Sequence, residues 1–187
     1  MFIYPVNETI QLQLLTLKDA DAVFQLTDHS RQYLREWLPW VDSTKSVEDT
    51  RRFIQFSLNQ FAANNGFQAG VRYQGELVGC LGLHGIDWTH RLTSLGYWLG
   101  EPYQGRGIMT AAVRAAVTIA FQEYQLNRVE IRAAVGNRKS RAIAERLGFL
   151  AEGCVRQAEW LGDRYVDHIV YGMLREEWPP DLTRERF

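Results

Sequence analysis

The stretch Gly96-Tyr97-Trp98-Leu99-Gly100-Glu101-Pro102-Tyr103-Gln104-Gly105-Arg106-Gly107-Ile108-Met109-Thr110 joins an alternating, strand-like segment to a strongly helical one. The helical part continues through Ala111, Ala112, Val113, Ala115, Ala116, Val117, Ile119, Ala120 and Phe121. Its first turn has N–H groups with no partner inside the helix. Gly105 and Gly107 carry no side chain to block a close approach to that turn, and the helix dipole adds partial positive charge where Arg106 already sits. A bare Gly-x-Gly reads equally well as a turn before a core helix. No Gly-Lys-Ser/Thr follows, which argues against a P-loop, and Thr110 breaks Gly-x-Gly-x-x-Gly. What remains is a strand, a loop and a helix N-terminus suited to a diphosphate.

Working outward toward the N-terminus, Ile10, Leu12 and Leu14 alternate as a strand, and Asp19 with Asp21 opens a helix carrying Ala22, Val23 and Leu26. A second helical stretch runs from near Arg31 to Trp37 and ends at Leu38-Pro39-Trp40. Ser46 and Asp49 cap a longer amphipathic helix, with Phe53, Phe56, Leu58 and Phe61 expected in the core, and Asn64-Asn65-Gly66 stops it. Strands are expected over Gln68 to Tyr73, Glu76 to Gly85 and Arg91 to Leu99, the first pair closed by the Gln74-Gly75 hairpin.

Beyond the loop helix, Val129, Ile131, Ala133 and Val135 alternate as a half-buried strand reached by a helical crossover, which favours parallel pairing. A short helix from Ser140 to Leu147 is closed by Gly148, and two further strands meet at Gly162-Asp163. The class is α+β, with a mixed central sheet of about seven strands. No linker, repeat or low-complexity segment divides the chain, so residues 1–187 are read as one domain.

With 187 residues, 46% hydrophobic and 23% charged, the chain has enough apolar residues for a sizeable core. Its net charge of −1 gives no overall drive toward nucleic acid. Cys80 and Cys154 lie in apolar, strand-like runs without Cys-x-x-Cys or a histidine cluster, so neither a metal nor a nucleophilic thiol is expected. Reduced cysteines point to the cytoplasm. The first residues lack a basic n-region and a cleavage site, and no apolar run reaches about 18 residues, so no membrane role is expected.

Gln104-Gly105-Arg106-Gly107 resembles the Gln/Arg-x-x-Gly-x-Gly/Ala motif with which the GNAT N-acetyltransferases bind the pyrophosphate of acetyl-CoA. Met109 departs from the motif's last small residue, but its backbone N–H is intact and its side chain is expected to turn into the helix packing. Asn137-Arg138-Lys139-Ser140 with Glu145-Arg146-Leu147-Gly148-Phe149 is a second match, to the branch typified by the ribosomal-protein N-acetyltransferases RimJ and RimL. Taken alone, Asn137 reads as an N-cap. Trp37-Leu38-Pro39-Trp40 and Gln157-Ala158-Glu159-Trp160-Leu161 match in the same order, so the resemblance runs nearly end to end.

The resemblance implies that the strands ending at Leu99 and near Val135 splay apart to admit the pantetheine arm. Backbone groups of Trp98 and Leu99 would pair with its amides. The residues Gln104, Gly105, Arg106, Gly107, Ile108, Met109 and Thr110 would hold the diphosphate, with Asn137 opposite. Ser140 would donate a hydrogen bond to the departing sulfur, and Glu159 would be the general base, its hydration limited by Trp160 and Leu161. His84 stands where many relatives keep a strand carboxylate, as an alternative base or a pocket wall. Asp167-His168 looks like a dyad, but neighbouring strand residues face opposite ways. His29 and His90 show no partners.

Trp37, Trp40 and Tyr33 either wall the acceptor site or pack in the core. The acceptor expected is the α-amino group of a protein N-terminus, whose pKa of about 7.7–8.0 leaves a useful neutral fraction. A small amine or antibiotic, or a CoA-binding sensor without turnover, remains open. A homodimer is expected, with six tryptophans as aromatic surface.

Overall fold

Gln74 and Gly75 both take left-handed backbone angles, φ 52° and 86°, the geometry of a two-residue hairpin. They close β3 (Gln68–Tyr73) onto β4 (Glu76–Asp87) as expected. In the computed structural model, which describes residues 3–179, these strands belong to one mixed sheet in the order β1-β2-β3-β4-β5-β6-β8-β7. The others are β1 (Ile3–Pro5), β2 (Ile10–Leu14), β5 (Leu92–Leu99), β6 (Arg128–Ala134), β7 (Leu150–Trp160) and β8 (Tyr165–Leu174). The count exceeds the expected seven by β1, whose three residues are too few for alternation to register. Its Pro5 is tolerated because β1 lies at the sheet edge.

The helices are α1 (Ala20–His29), α2 (Arg31–Leu34), α3 (Val47–Ala62), α4 (Ile108–Gln122) and α5 (Arg138–Arg146). One face of the sheet packs against α4 and α5 around Val71, Leu81, Leu83, Ile108, Val113 and Ile131. The other packs against α1 and α3 around a smaller cluster of Leu15, Ala20, Val23, Ile54 and Cys80.

Two expectations are corrected. The helix foreseen from Arg31 to Trp37 ends at Leu34, because extended Leu38 before Pro39 prevents continuation; a single 3-10 turn follows over Pro39–Asp42. In α3 the capping box of Ser46 and Asp49 is present, but the face turned to the core is Thr50, Ile54 and Ser57. Ile54 is fully buried there, between the smaller Thr50 and Ser57. Phe53 and Phe56 are pushed to the flank, Phe56 being 70% exposed, and Phe61 is exposed as well. Leu58 packs against the smaller cluster.

The middle of the sheet positions the site. Parallel β5 and β6 pair only over Leu92–Ser94 with Arg128–Glu130. β5 then follows β4 to Leu99, while β6 follows β8 to Ala134. The two strands therefore splay, and among the described residues the facing edges beyond Ser94 and Glu130 have no strand partner.

Candidate active site

The loop between β5 and α4 is a cradle of backbone donors. Gly105 and Gly107 both have φ 74°, in the left-handed region that glycine enters without strain. A Cβ on either would meet nothing within 4 Å, so the space in front of them is open. The first helical bond into α4 runs from Ala111 N–H to Gly107 O at 3.0 Å. Among the described residues, the N–H groups of residues 105–110 have no acceptor. Such a run of convergent donors at the positive end of a helix suits a diphosphate. Met109 is buried in the core, as its place in the motif led us to expect.

Arg106 lines the cavity in front of the cradle. Its guanidinium donates to Pro102 O at 3.1 Å and lies 5.9 Å from the Tyr103 ring centroid. Positive charge beside the cradle also comes from Arg114, Lys139 and Arg146, which line the same cavity and which sequence reasoning did not single out. Lys139 Nζ donates to Gln104 Oε1 at 2.7 Å and Arg146 donates to Thr110 Oγ1 at 3.1 Å. These bonds tie α5 to the loop.

The cradle opens into a cavity of about 870 Å³ that fills the splay. Gly100 N–H donates to Val78 O on β4. By the two-residue alternation of an antiparallel ladder, the backbone groups of Tyr97 and Leu99 face the open edge and those of Trp98 face β4. Trp98 instead presents its indole, 5.9 Å from the Trp40 ring. Asn137 lines the cavity and also caps α5, its Oδ1 accepting from Ser140 N–H at 3.1 Å. Ser140 Oγ lies 3.2 Å from the phenol oxygen of Tyr97, a half-buried residue whose pKa is pushed up to about 12, chiefly by burial. Nothing in the sequence sets Tyr97 apart from the rest of its strand. Only the fold brings it to Ser140.

On the other face of β5 is a second cavity of about 900 Å³, walled by Trp40, Phe53, Phe56, Cys80 and His84. Tyr97, Trp98 and Leu38 line both cavities. The expected acceptor residues thus divide, with Trp40 and His84 in the second cavity and Trp37 in the first. A Cβ on Gly96 would overlap the His84 ring, which lies over that glycine, and burial lowers the His84 pKa. Cys80 is buried and desolvation raises its pKa, which disfavours a thiolate there.

Glu159 lines neither cavity. It sits on β7 opposite Val166, with Oε2 3.2 Å from His168 Nε2, a pair at ion-pair distance whose ring N–H is not aimed for a hydrogen bond. Asp167, on the other face of β8, accepts from Gln157 N–H at 2.8 Å. Asp167 and His168 therefore form no dyad, and the partner of His168 is Glu159.

Residues 9–150 match the acetyltransferase (GNAT) domain model. YdaF of Bacillus subtilis (strain 168) is 41% identical over 179 residues, covering 95% of this chain and 98% of that protein. The ribosomal-protein-serine acetyltransferase of Escherichia coli (strain K12) is 30% identical over 169 residues, covering 90% and 94%. The solved structure of RimL, a ribosomal L7/L12 alpha-N-protein acetyltransferase in complex with coenzyme A, aligns at TM-score 0.91 and 30% identity over 94% of this chain and 99% of that one. The free amides, open glycines and splayed strands fit acetyl-CoA as the cosubstrate. The chain belongs to the GNAT acetyltransferases.

Proposed function

We propose that this enzyme acetylates the α-amino group of a ribosomal protein N-terminus by direct attack of the amine in a ternary complex with acetyl-CoA. The second cavity carries the reading. It adjoins the cofactor cleft across Tyr97 and Trp98, and its apolar walls have room for the first residues of a polypeptide. Likeness to the E. coli ribosomal-protein-serine acetyltransferase supports the same acceptor class. A small-molecule amine is the second reading, supported by the microcin C7 self-immunity acetyltransferase MccE, solved with acetyl-CoA and AMP, at TM-score 0.86 and 27% identity over 90% of this chain and 94% of that one.

In the proposed step the neutral amine attacks the thioester carbonyl, the C–N bond forms and the C–S bond breaks with its electron pair on sulfur. Ser140 Oγ donates a hydrogen bond to that sulfur. Two bases are offered for the amine proton. The motif supports Glu159, and geometry supports His84, which lines the second cavity and is kept neutral by burial. A cytoplasmic homodimer belongs to the same proposal, supported by the exposed Leu150, Val155, Trp160 and Tyr165 of the β7–β8 edge.

A thiol-release assay with acetyl-CoA against N-terminal peptides of ribosomal proteins and a set of small amines tests the acceptor. Turnover with a peptide is expected, and turnover confined to small amines overturns the reading. Binding of CoA with no turnover on any acceptor makes the protein a sensor.

A further inference from the structure

Ser140 is held by more bonds than a residue in the first turn of a short helix needs. Asn137 Oδ1 takes its N–H. The Tyr97 hydroxyl donates to its carbonyl oxygen at 3.0 Å, and Ser140 Oγ donates in turn to the Tyr97 oxygen at 3.2 Å. One phenol, reaching across the splay from β5, thus fixes both the backbone and the hydroxyl of one residue on α5.

A serine hydroxyl has one proton and two acceptor sites. In the arrangement described, that proton goes to Tyr97. To meet a sulfur in the cleft it must turn away, and the phenol's hydrogen is then the nearest donor for the oxygen left behind. Resting on the reading of Ser140 as donor to the departing sulfur, we propose that Tyr97 is a positioning residue for acetyl transfer, its phenol moving its hydrogen bond from the Ser140 carbonyl to Ser140 Oγ and so aiming the serine proton at the thiolate. No proton leaves Tyr97. The C–S electron pair stays on sulfur, the amine proton goes to the base, and the phenol remains neutral because burial keeps it protonated throughout the working range of pH. Hydroxyls in series polarise one another in a low-dielectric cleft, so the serine becomes a stronger donor than it is alone.

The test is a double-mutant cycle of Tyr97→Phe and Ser140→Ala, using acetyl-CoA and the acceptor with the highest turnover in the thiol-release panel. Tyr97→Phe is expected to lower kcat about five- to tenfold, the worth of one neutral hydrogen bond. The KM for acetyl-CoA, the acetyl-CoA-induced rise in Tm and the shape of the pH profile should stay as in the wild type. In the Ser140→Ala background the same change should cost nothing further, since its effect passes through the serine. Equal losses in both backgrounds, a loss confined to KM, or loss of the acetyl-CoA-induced Tm rise would overturn the proposal. A wild-type rate for Ser140→Ala removes the reading beneath it, whereas a slow Ser140→Ala beside a wild-type Tyr97→Phe overturns the role of Tyr97 alone.

Discussion

The two cavities share a wall at Tyr97 and Trp98 but are made of different materials. The cofactor cleft is largely backbone: the amides of residues 105–110, the glycine φ angles and the unpaired strand edges define it. The second cavity is side chain, walled by Trp40, Phe53, Phe56 and His84 from three separate stretches of chain. A backbone site tolerates most substitutions and fails at the few that fill its space. A side-chain site can be retuned residue by residue, as a family with one cosubstrate and many acceptors requires.

The largest expected effect comes from filling the backbone site. Gly107→Val places a branched side chain in the open cradle, and acetyl-CoA should then no longer raise Tm, whereas the wild type should show a clear rise by mass action. Its left-handed φ adds about 1–3 kcal/mol of strain, so each Tm shift is read against the variant's own baseline. A full shift in Gly107→Val would break the contrast between the two sites.

Next are the two candidate bases. His84→Gln is expected to lower kcat by roughly 10²-fold or more with acetyl-CoA binding intact, and the defect should shrink as rising pH supplies neutral amine. Glu159→Gln is the competing outcome. If it alone shows that loss and that rescue, the base comes from the β7 edge and His84 is a wall.

A smaller effect is expected at Phe56. Truncation to Ala should leave stability nearly unchanged, because the side chain is 70% exposed. It should raise the acceptor KM roughly five- to tenfold, equivalent to about 1–1.4 kcal/mol of lost apolar contact, without changing the KM for acetyl-CoA. A rise in both constants would mean that the cavities are not separable.

The smallest effect is in stability. Burial lowers the His84 pKa in the fold below its ordinary 6.5. Below that pH the unfolded chain binds more protons than the native one, so stability falls with falling pH through the window beneath 6.5. Denaturant titrations of His84→Gln should show a shallower acid-side loss than the wild type.

Local signals carried the reading of the cofactor cleft because its chemistry is local. Gly105, Gly107, the helix after them and the Asn137 cap lie within short contiguous stretches, and turn chemistry at Gln74-Gly75 and Gly148 gave the strand and helix limits. What escaped depends on packing between distant segments. Phe53 and Phe56 have a helical spacing that reads as core, but α3 buries Thr50, Ile54 and Ser57 instead and leaves the two phenylalanines as a cavity wall. Tyr97 meets Ser140 across the splay, over a separation of 43 residues. Glu159 was chosen by motif, and no spacing in the chain could reveal that His168 would face it.

The splay has a consequence for the protein's behaviour when acetyl-CoA is scarce. A sheet parted at its centre has two raw edges inside it as well as the two at its rim, and unpaired strand edges recruit foreign strands. Charges or prolines that would blunt such an edge are missing from Leu95-Gly96-Tyr97-Trp98-Leu99. A pantetheine arm seated in the splay would cover this edge. Stored without it, the enzyme should grow sticky and self-associate on warming, and a few equivalents of CoA should keep it dispersed.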